Sequence, residues 1–372
     1  MHIPMRAEPC RGTLLCCVLA IALLAHGATA AGAAQKVGPP PAGKLYHAVY
    51  PGGVTGEEDD LTPADVDAYE AAVGKRVAWV YFSHNWYRSR EFPLATASWI
   101  RDRGAVPYIR LMLRSSADRP RPRPPFKLKN ILTGRLDADL RRWAQAARDF
   151  GSPLIVEYGT ECNGEWFPWN ARWNGRRQTR AFGDPTKPDG PERFAAAFRR
   201  IVTLMRGEGA TNITWVFHAN WDDGPAESWN RLEDYYPGDD VVDWVAVSAY
   251  GPQTPLDDYL DLFRDEMDAA YPRLELIAPT KPVIVAEFGV TAGNPLIAPE
   301  AWAGPALADL LTFRWPAVIG FSWWNERWQN DNDPAHDTTL RMQDIPALAQ
   351  TFATTLEASA SLLQLDPVFV GP

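Results

Sequence analysis

Two glutamates carry the chemistry that this sequence suggests. Glu161 lies in "EYGTECNGEWFPWN", where three carboxylates, two Trp and a Phe fall within one short stretch after the apolar run "SPLIV". Glu287 ends the run "PVIVAEFG", where a buried charge would be costly unless it faced a polar site. Hydrolysis of a glycosidic bond needs such a pair, because one carboxyl group protonates the leaving oxygen while the other attacks the anomeric carbon or activates water.

Apolar runs alternate with helix-period segments along most of the chain. Helical patterns such as "TPADVDAYEAAVG", with Thr62 as N-cap, and "PLDDYLDLFRDEMDAAY" separate the runs. The eight strand candidates are "LYHAVY", "RVAWVYF", "AVPYIRLML", "SPLIVEYG", "NITWVFHAN", "VVDWVAVSAY", "KPVIVAEFG" and "AVIGFSWW". Eight βα units predict an α/β fold, a single-domain (β/α)8 TIM barrel. A doubly wound open sheet is the alternative, but no Gly-rich phosphate loop follows an early strand.

The carboxyl ends of the strands should meet at one face, which is where barrels of this kind build their active sites. Glu161 follows the fourth strand and Glu287 ends the seventh, and these strands can face each other across the barrel mouth. Polar and aromatic residues recur at the other strand ends and in the loop after the fourth strand. The candidates for contact with a substrate are His84, Trp86, Arg110, Trp169, His218, Tyr250, Trp323 and Trp324.

The amino-terminal segment resembles a secretory signal peptide. Arg6 and Arg11 precede the apolar run "TLLCCVLAIALLA", and "ATA" ends at Ala30 with small residues at cleavage spacing. We therefore predict a signal peptide at residues 1–30, a linker at 31–43 and the catalytic barrel at 44–372. The mature protein is expected to be secreted or periplasmic. A lipoprotein anchor at Cys16 or Cys17 is the less favoured alternative.

Composition narrows the class of partner. The formal net charge of -9 disfavours nucleic acid and anionic membranes and favours a neutral ligand. The 16 Trp residues would suit sugar binding, because a flat apolar ring with a polar edge fits a sugar face. We predict a polysaccharide or oligosaccharide substrate, no cofactor and no obligate protein partner. A metal-dependent barrel hydrolase is disfavoured because the His residues are scattered without an H-x-H pair.

Several segments resemble glycoside hydrolase family 26, which comprises retaining (β/α)8 enzymes and is best known for β-mannanases. "ECNGEWFPW" is similar to the "EMNGxWFPW" segment of that family, and "VIVAEFG" is similar to its nucleophile strand. "DWVAVSAYG", "ITWVFHAN" and the last strand extend the resemblance over Leu45 to Gln329. The resemblance implies a β-mannanase-like endo-glycanase that works by double displacement.

The resemblance also implies roles for individual residues. Glu161 would be the general acid/base, Glu287 the nucleophile and Tyr250 its hydrogen-bond partner. Trp166 would border the sugar, and Trp324 or Trp323 would form the floor beneath it. The retaining scheme requires carboxyl groups about 5 to 5.5 Å apart, with Glu161 protonated and Glu287 ionised near neutrality.

Two positions depart from the family pattern. Where that pattern has an Arg four residues before the acid/base and a His directly before it, this chain has Glu157 and Thr160. The lost His puts mannan specificity in doubt, so a β-glucanase or xylanase stays an alternative. The added carboxylate of Glu157 should favour protonation of the acid if it lies close enough. A non-catalytic carbohydrate-binding protein on a glycosidase barrel is the alternative from another class.

Overall fold

Eight parallel strands form a closed barrel in the computed structural model, which describes residues 35–53, 58–117 and 119–372. The strands are β1 (Leu45–Tyr50), β2 (Trp79–Asn85), β3 (Val106–Met112), β4 (Leu154–Tyr158), β5 (Ile213–Asn220), β6 (Trp244–Tyr250), β7 (Val283–Gly289) and β8 (Val318–Trp324). Each pairs with the next in chain order, and β8 closes the barrel on β1 through Tyr46↔Gly320 to Tyr50↔Trp324. The predicted (β/α)8 TIM barrel is confirmed, and all eight predicted strands are present.

Helices follow the strands and cover the outside of the barrel. They are α1 (Pro63–Val73), α2 (Leu94–Asp102), α3 (Leu128–Leu132), α4 (Asp137–Phe150), α5 (Asp189–Gly207), α6 (Leu232–Tyr235), α7 (Phe263–Ile277), α8 (Pro299–Leu311) and α9 (Pro346–Ala358). Single 3-10 turns occupy Ala171–Trp173, Pro334–His336, Met342–Asp344 and Ala360–Leu362. None of the helices in the described ranges is long and apolar enough to cross a membrane.

Helix α1 begins where its sequence predicts. Thr62 takes an extended conformation, its backbone N–H donates to Asp65 Oδ2 at 2.8 Å, and Pro63 occupies the first turn. Such a capping box satisfies donors that the first turn leaves without helical partners. Gly74 ends the helix in the left-handed conformation, with φ 68°, which costs glycine little.

The pattern "PLDDYLDLFRDEMDAAY" is helical only in its second half, because α7 begins at Phe263 rather than at Pro255. Asp257 accepts hydrogen bonds from the backbone N–H groups of Gln253 and Thr254, at 2.7 and 2.8 Å. This side-chain turn competes with helix formation. Residues 255–262 therefore form a loop above the barrel, at its carboxyl-terminal end.

Both ends of the described chain meet at the amino-terminal end of the barrel. Lys36–Val37 pairs antiparallel with Phe369–Val370, and Leu363–Gln364 adds parallel to the start of β1. The backbone of Val37 exchanges hydrogen bonds with Thr214 Oγ1 at 2.9 and 3.0 Å. Part of the predicted linker thus packs on the barrel. The predicted signal peptide lies outside the described residues.

Strand alternation decides which side chains reach the barrel interior. In β2, Trp79 and Tyr81 point inward: the Trp79 indole donates to Ser322 Oγ on β8 at 2.8 Å, and the Tyr81 hydroxyl reaches carboxylates of β4 and β7. His84 points outward, with its ring 6.4 Å from that of Trp143 on α4. The interior is filled by aromatic and polar side chains, and its upper layer supplies the floor of a cavity.

Candidate active site

A cavity of about 570 Å³ opens at the carboxyl ends of the strands. Its wall contains both predicted catalytic glutamates, six aromatic residues and several further polar side chains. The lining residues are Glu58, Arg110, Glu161, Trp166, Asn220, Trp221, Asp222, Tyr250, Gln253, Tyr259, Asp261, Glu287, Trp324, Glu326 and Trp328. A depression of about 630 Å³ at the opposite end of the barrel, around Lys36 and Pro282, contains none of the predicted site residues.

Glu287 is buried in β7 and is held by three side chains. Its Oε2 accepts the Tyr250 hydroxyl at 2.9 Å, and its Oε1 lies 3.0 Å from the Tyr81 hydroxyl and 3.6 Å from Arg110 Nη2. Burial raises the pKa of Glu287 to about 7, and the charges of Glu161 and Glu157 add to this while Arg110 opposes it. Near neutrality the carboxyl group is therefore only partly ionised, which differs from the expectation of an ionised nucleophile.

Glu161 occupies a strained position just beyond β4. Its φ of 46° lies in the left-handed region, which costs a non-glycine residue on the order of 1 kcal/mol or more. Neighbouring backbone bonds hold it there: Cys162 N–H donates to His218 O at 3.2 Å, and Gly164 N–H donates to Glu161 O at 2.7 Å. The carboxyl group is thereby aimed into the cavity, where its Oε2 accepts the Trp166 indole N–H at 2.6 Å.

Asn163 ties the segment that carries Glu161 to the next strand. Its Oδ1 accepts the backbone N–H of Asn220 at 2.8 Å, and its Nδ2 donates to the carbonyl groups of Asn220 and Asp222 at 3.1 and 2.7 Å. The side chain is fully buried. A buried amide that is satisfied in this way fixes the backbone on both sides of the proton donor.

Trp166 and Trp324 form two aromatic faces of the cavity. Trp166 is 44% exposed, and its ring lies on Gly164 and Gly224, where added Cβ atoms would approach ring carbons to 2.3 and 2.6 Å. Glycine is therefore required at both positions for the ring to lie where it does. Trp324 stacks on Tyr50 with ring centroids 3.6 Å apart. Such rings suit contact with the flat face of a sugar.

Arg110 is the guanidinium group of the cavity wall. It lies between the rings of Phe167 and Trp324, at 5.3 and 5.2 Å from their centroids. Its Nη1 donates to Glu58 Oε1 at 3.2 Å, in addition to the contact with Glu287. A cation fixed in this way favours the ionised form of the carboxyl groups beside it.

Glu157 lies beneath the cavity and is fully buried. It accepts hydrogen bonds from the hydroxyls of Tyr81 at 2.6 Å, Tyr108 at 2.7 Å and Thr160, and its Oε2 lies 3.0 Å from His218 Nδ1. Burial opposes ionisation, but His218, Arg110 and Thr160 outweigh it and lower the pKa of Glu157 to about 2.

The charge of Glu157 is matched by its neighbours. Arg110 pairs with Glu157 in strand register, and their side chains are 3.9 Å apart. Burial disfavours the charged form of His218, but the charge and hydrogen bond of Glu157, together with the charges of Glu287 and Glu161, outweigh it and raise the pKa of His218. Because the Glu157 charge also raises the pKa of Glu287, the structure connects this departure from the family pattern to the proposed nucleophile.

Four of the predicted site residues line the cavity beside the two glutamates: Arg110, Trp166, Tyr250 and Trp324. The other predictions are corrected. Trp323 is fully buried and packs outward against Phe288 and Phe352, because neighbouring strand residues point to opposite faces. His84 points outward for the same reason, and burial lowers its pKa to about 4.

Three further predicted residues lie behind the cavity wall. Trp86 is buried beyond the end of β2, and Trp169 is buried with its indole donating to Thr160 O at 2.7 Å. His218 lies below the cavity, where its Nε2 is 2.8 Å from Ser248 Oγ. These residues pack behind the residues that line the cavity and do not line it themselves.

The structure adds cavity residues that the sequence analysis did not propose as contacts. Tyr259 and Asp261 come from the loop that was predicted as helix, and Asp222 follows β5. Tyr81 contacts both Glu157 and Glu287 from the middle of β2. The alternation Trp79, Tyr81, Ser83, Asn85 was the signal that could have placed this hydroxyl inside the barrel.

Glu157, His218 and Glu287 present ligand atoms within 4.8 Å of one another, so they could in principle surround a metal ion. Both nitrogens of His218 are, however, engaged with Glu157 and Ser248. The Tyr81 hydroxyl links Glu157 to Glu287, so the three groups belong to one hydrogen-bonded network.

The chain is similar to known carbohydrate-active proteins. The profile described as "Glycosyl hydrolase family 26" matches residues 124–277, which include Glu161 and stop before Glu287. Endoglucanase H of Acetivibrio thermocellus is 30% identical over 211 residues, which is 55% of this chain and 21% of that protein. Mannan endo-1,4-beta-mannosidase A and B of Caldalkalibacillus mannanilyticus is 27% identical over 179 residues, or 46% of this chain and 28% of that protein.

The chain thus spans less than a third of the length of either relative. Among solved structures, an endo-beta-1,4-mannanase double mutant of Cellulomonas fimi superimposes with a TM-score of 0.60 at 18% identity, covering 87% of this chain and 72% of the other. At this identity the likeness shows the fold alone. Together, the profile and the relatives confirm the resemblance to family 26.

Proposed function

We propose that this chain, which belongs to glycoside hydrolase family 26, is a retaining glycoside hydrolase that cuts within a β-linked polysaccharide. One observation carries the proposal. Glu161, beyond β4, and Glu287, in β7, line one cavity together with the rings of Trp166 and Trp324. That arrangement offers two carboxyl groups to a bond whose sugars lie on aromatic faces.

In the first half of the reaction, the Glu287 carboxylate attacks the anomeric carbon. The bond to the leaving oxygen breaks as Glu161 gives its proton to that oxygen, which leaves a glycosyl ester on Glu287. In the second half, Glu161 takes a proton from water, the water oxygen attacks the anomeric carbon, and the ester bond to Glu287 breaks. Tyr250 and Arg110 stabilise the Glu287 carboxylate when it attacks and when it leaves.

Hydrolysis of a panel of mannan, glucomannan, xylans and mixed-linkage glucans, with product sizing, tests the proposal and identifies the sugar. Relatives bear names that include both endoglucanase and mannosidase, so the panel must contain both kinds of polymer. Proton NMR of the first-formed product should show retained configuration. Binding of a glycan without any cleavage would instead favour a non-catalytic carbohydrate-binding protein.

We also propose that the protein acts outside the cytoplasm, as the signal-like segment at residues 1–30 suggests. Expression of the full chain in a bacterial host followed by amino-terminal sequencing would test this. Recovery of the uncut chain from the cytoplasm would contradict the proposal.

As the pH is lowered, the activity should begin to fall at a pH that is unusually high for a glutamate nucleophile. Glu287 must be ionised to attack, and burial raises its pKa to about 7. The value of kcat/KM should therefore rise with pH through about 7 and fall roughly tenfold for each unit below it. A pH profile of kcat/KM in the free-enzyme regime measures this limb. An acid limb near the ordinary glutamate value would contradict the burial argument.

Trp166 should contribute to catalysis through its N–H as well as its ring. Trp166→Phe keeps an aromatic face but removes the hydrogen bond to Glu161 Oε2. Glu161 becomes charged as it gives up its proton, and hydrogen bonds to charged groups are worth about 1.5–3 kcal/mol, so kcat should fall about tenfold or more while KM changes little. Trp166→Ala should also raise KM, because it removes the ring. Wild-type kinetics in Trp166→Phe would show that the N–H has no separate role.

A further inference from the structure

The Tyr81 hydroxyl has one proton and two carboxyl groups within reach. It lies 2.6 Å from Glu157 Oε1 and 3.0 Å from Glu287 Oε1, and all three side chains are buried. A phenol can donate only once, although its oxygen can also accept. The destination of that proton decides what Tyr81 presents to the proposed nucleophile.

Glu157 has an acceptor position for the Tyr81 proton. An ionised carboxylate offers about four acceptor positions, and three are filled by Tyr108, Thr160 and His218. Tyr81 supplies the fourth, at the shorter of its two distances. If Tyr81 turned its proton to Glu287 instead, a fully buried carboxylate would lose one of its donors, which is unfavourable where water cannot replace it.

Glu287 then faces an acceptor rather than a donor. With the Tyr81 proton on the Glu157 side, the Tyr81 oxygen is 3.0 Å from Glu287 Oε1. Two acceptors at that distance repel each other when Glu287 is ionised. The contact becomes a hydrogen bond when Oε1 carries a proton and donates it to Tyr81. The chain of donors then runs in one direction, from Glu287 to Tyr81 to Glu157.

We infer that Tyr81 and Glu157 are positioning residues that hold the proposed nucleophile in its protonated form while the site is empty. The inference rests on the proposed function for its role in turnover, but its structural content does not. Before attack, Glu287 must release this proton to water through the cavity that it lines.

The other groups around Glu287 divide between the two forms. Arg110 on β3 and His218 on β5 favour the carboxylate, and so does the Tyr250 hydroxyl on β6. Glu161 and Glu157, at the end of β4, favour the protonated form. The effect of Tyr81 on the ionisation of Glu287 depends on which carboxyl group its hydroxyl donates to. Substitution of Tyr81 therefore tests the inference.

The variant Tyr81→Phe separates the two directions of donation. If Tyr81 donates to Glu157, losing its oxygen removes an acceptor from Glu287, and the acid limb of kcat/KM should move to lower pH. If Tyr81 donates to Glu287, the variant loses a donor and the limb should move to higher pH. Tyr250→Phe is the matched control, because it removes a hydroxyl that reaches only Glu287 and should move the limb upward.

An infrared measurement makes the test independent of catalysis. The difference spectrum between the wild type and Glu287→Gln should contain the protonated carboxyl band of Glu287, and its pH dependence gives the titration directly. The corresponding difference between Tyr81→Phe and the double variant Tyr81→Phe/Glu287→Gln should show that band disappearing at a lower pH. The difference between Glu157→Gln and the double variant Glu157→Gln/Glu287→Gln should also show the Glu287 band disappearing at a lower pH.

An upward shift of the band in Tyr81→Phe would overturn the inference. A downward shift in a protein that cuts no glycan would support it and would count against the proposed function alone. Thermal unfolding and circular dichroism of each variant show whether it is folded. If Tyr81→Phe does not fold, the direction of the shift in Glu157→Gln decides, and an upward shift there overturns the inference.

Discussion

Glu287→Ala is expected to abolish turnover. Removal of a nucleophile from an enzyme that works through a covalent intermediate costs on the order of 10⁴- to 10⁶-fold in kcat. The carboxylate is supported by Tyr250 and Arg110, and neither can form a bond to carbon in its place. Steady-state kinetics on the best polysaccharide of the panel measures the loss.

Azide should restore part of this activity. The substitution leaves space beside Tyr250, so a small anion can enter and attack the anomeric carbon from the same side as the lost carboxylate. The product should be a glycosyl azide of inverted configuration, which NMR identifies. Asp261→Ala is a suitable control, since this carboxylate lines the same cavity but has no part in the scheme. Undiminished activity in Glu287→Ala would remove Glu287 from its role.

Glu161→Ala should cause a loss that depends on the leaving group. General acid catalysis contributes about 10²- to 10⁴-fold, and a polysaccharide needs it because a sugar alkoxide is a poor leaving group. An aryl glycoside with an acidic phenol should react in the first step almost as fast as with the wild type. A glycosyl-enzyme should then accumulate, because no base activates water.

Azide distinguishes the two glutamates. In Glu161→Ala it should attack the accumulated glycosyl-enzyme and give an azide of retained configuration, opposite to the product of Glu287→Ala. Rapid kinetics on the aryl substrate should show a burst followed by a slow steady state. Equal losses on the aryl glycoside and the polysaccharide would contradict an acid/base role for Glu161.

The strands and their order could be predicted because each barrel strand is a nearly continuous apolar run, as burial on both faces requires. Glu161 and Glu287 could be proposed from the same pattern, since charge at the end of such a run needs a polar destination. Resemblance to a family then assigned their roles, and the structure places both in one cavity.

It was harder to predict from the sequence which residues of each strand point into the barrel and which point outward. Trp323 and Trp324 are neighbours with equal claims by type, yet one packs outward on Phe288 and the other lines the cavity. His84 was proposed and Tyr81 was not, although the inward positions of β2 are the odd-numbered ones. A one-residue change of phase exchanges the faces completely, and only contacts made across the barrel determine it.

Glu157 shows a second limit of sequence reasoning. Comparison of the sequence with the family pattern detects an Arg replaced by Glu. It does not show which neighbouring side chains stabilise the new negative charge. Those neighbours come from other strands: Tyr81 on β2, Tyr108 and Arg110 on β3, and His218 on β5. The loop at 255–262 shows the same limit. Its apolar spacing predicted a helix, but the hydrogen bond that Asp257 accepts from a backbone N–H group stabilises a turn there instead.

The raised pKa of Glu287 has a consequence for inhibitors. A positively charged sugar mimic would gain its attraction from the carboxylate, so it must displace the carboxyl proton into water before it can pair. Its apparent affinity should weaken about tenfold for each pH unit below the pKa of about 7. A neutral mimic that leaves the carboxyl group protonated would keep its affinity across the same range. This cavity therefore selects among inhibitors by the acidity of the medium as well as by their shape.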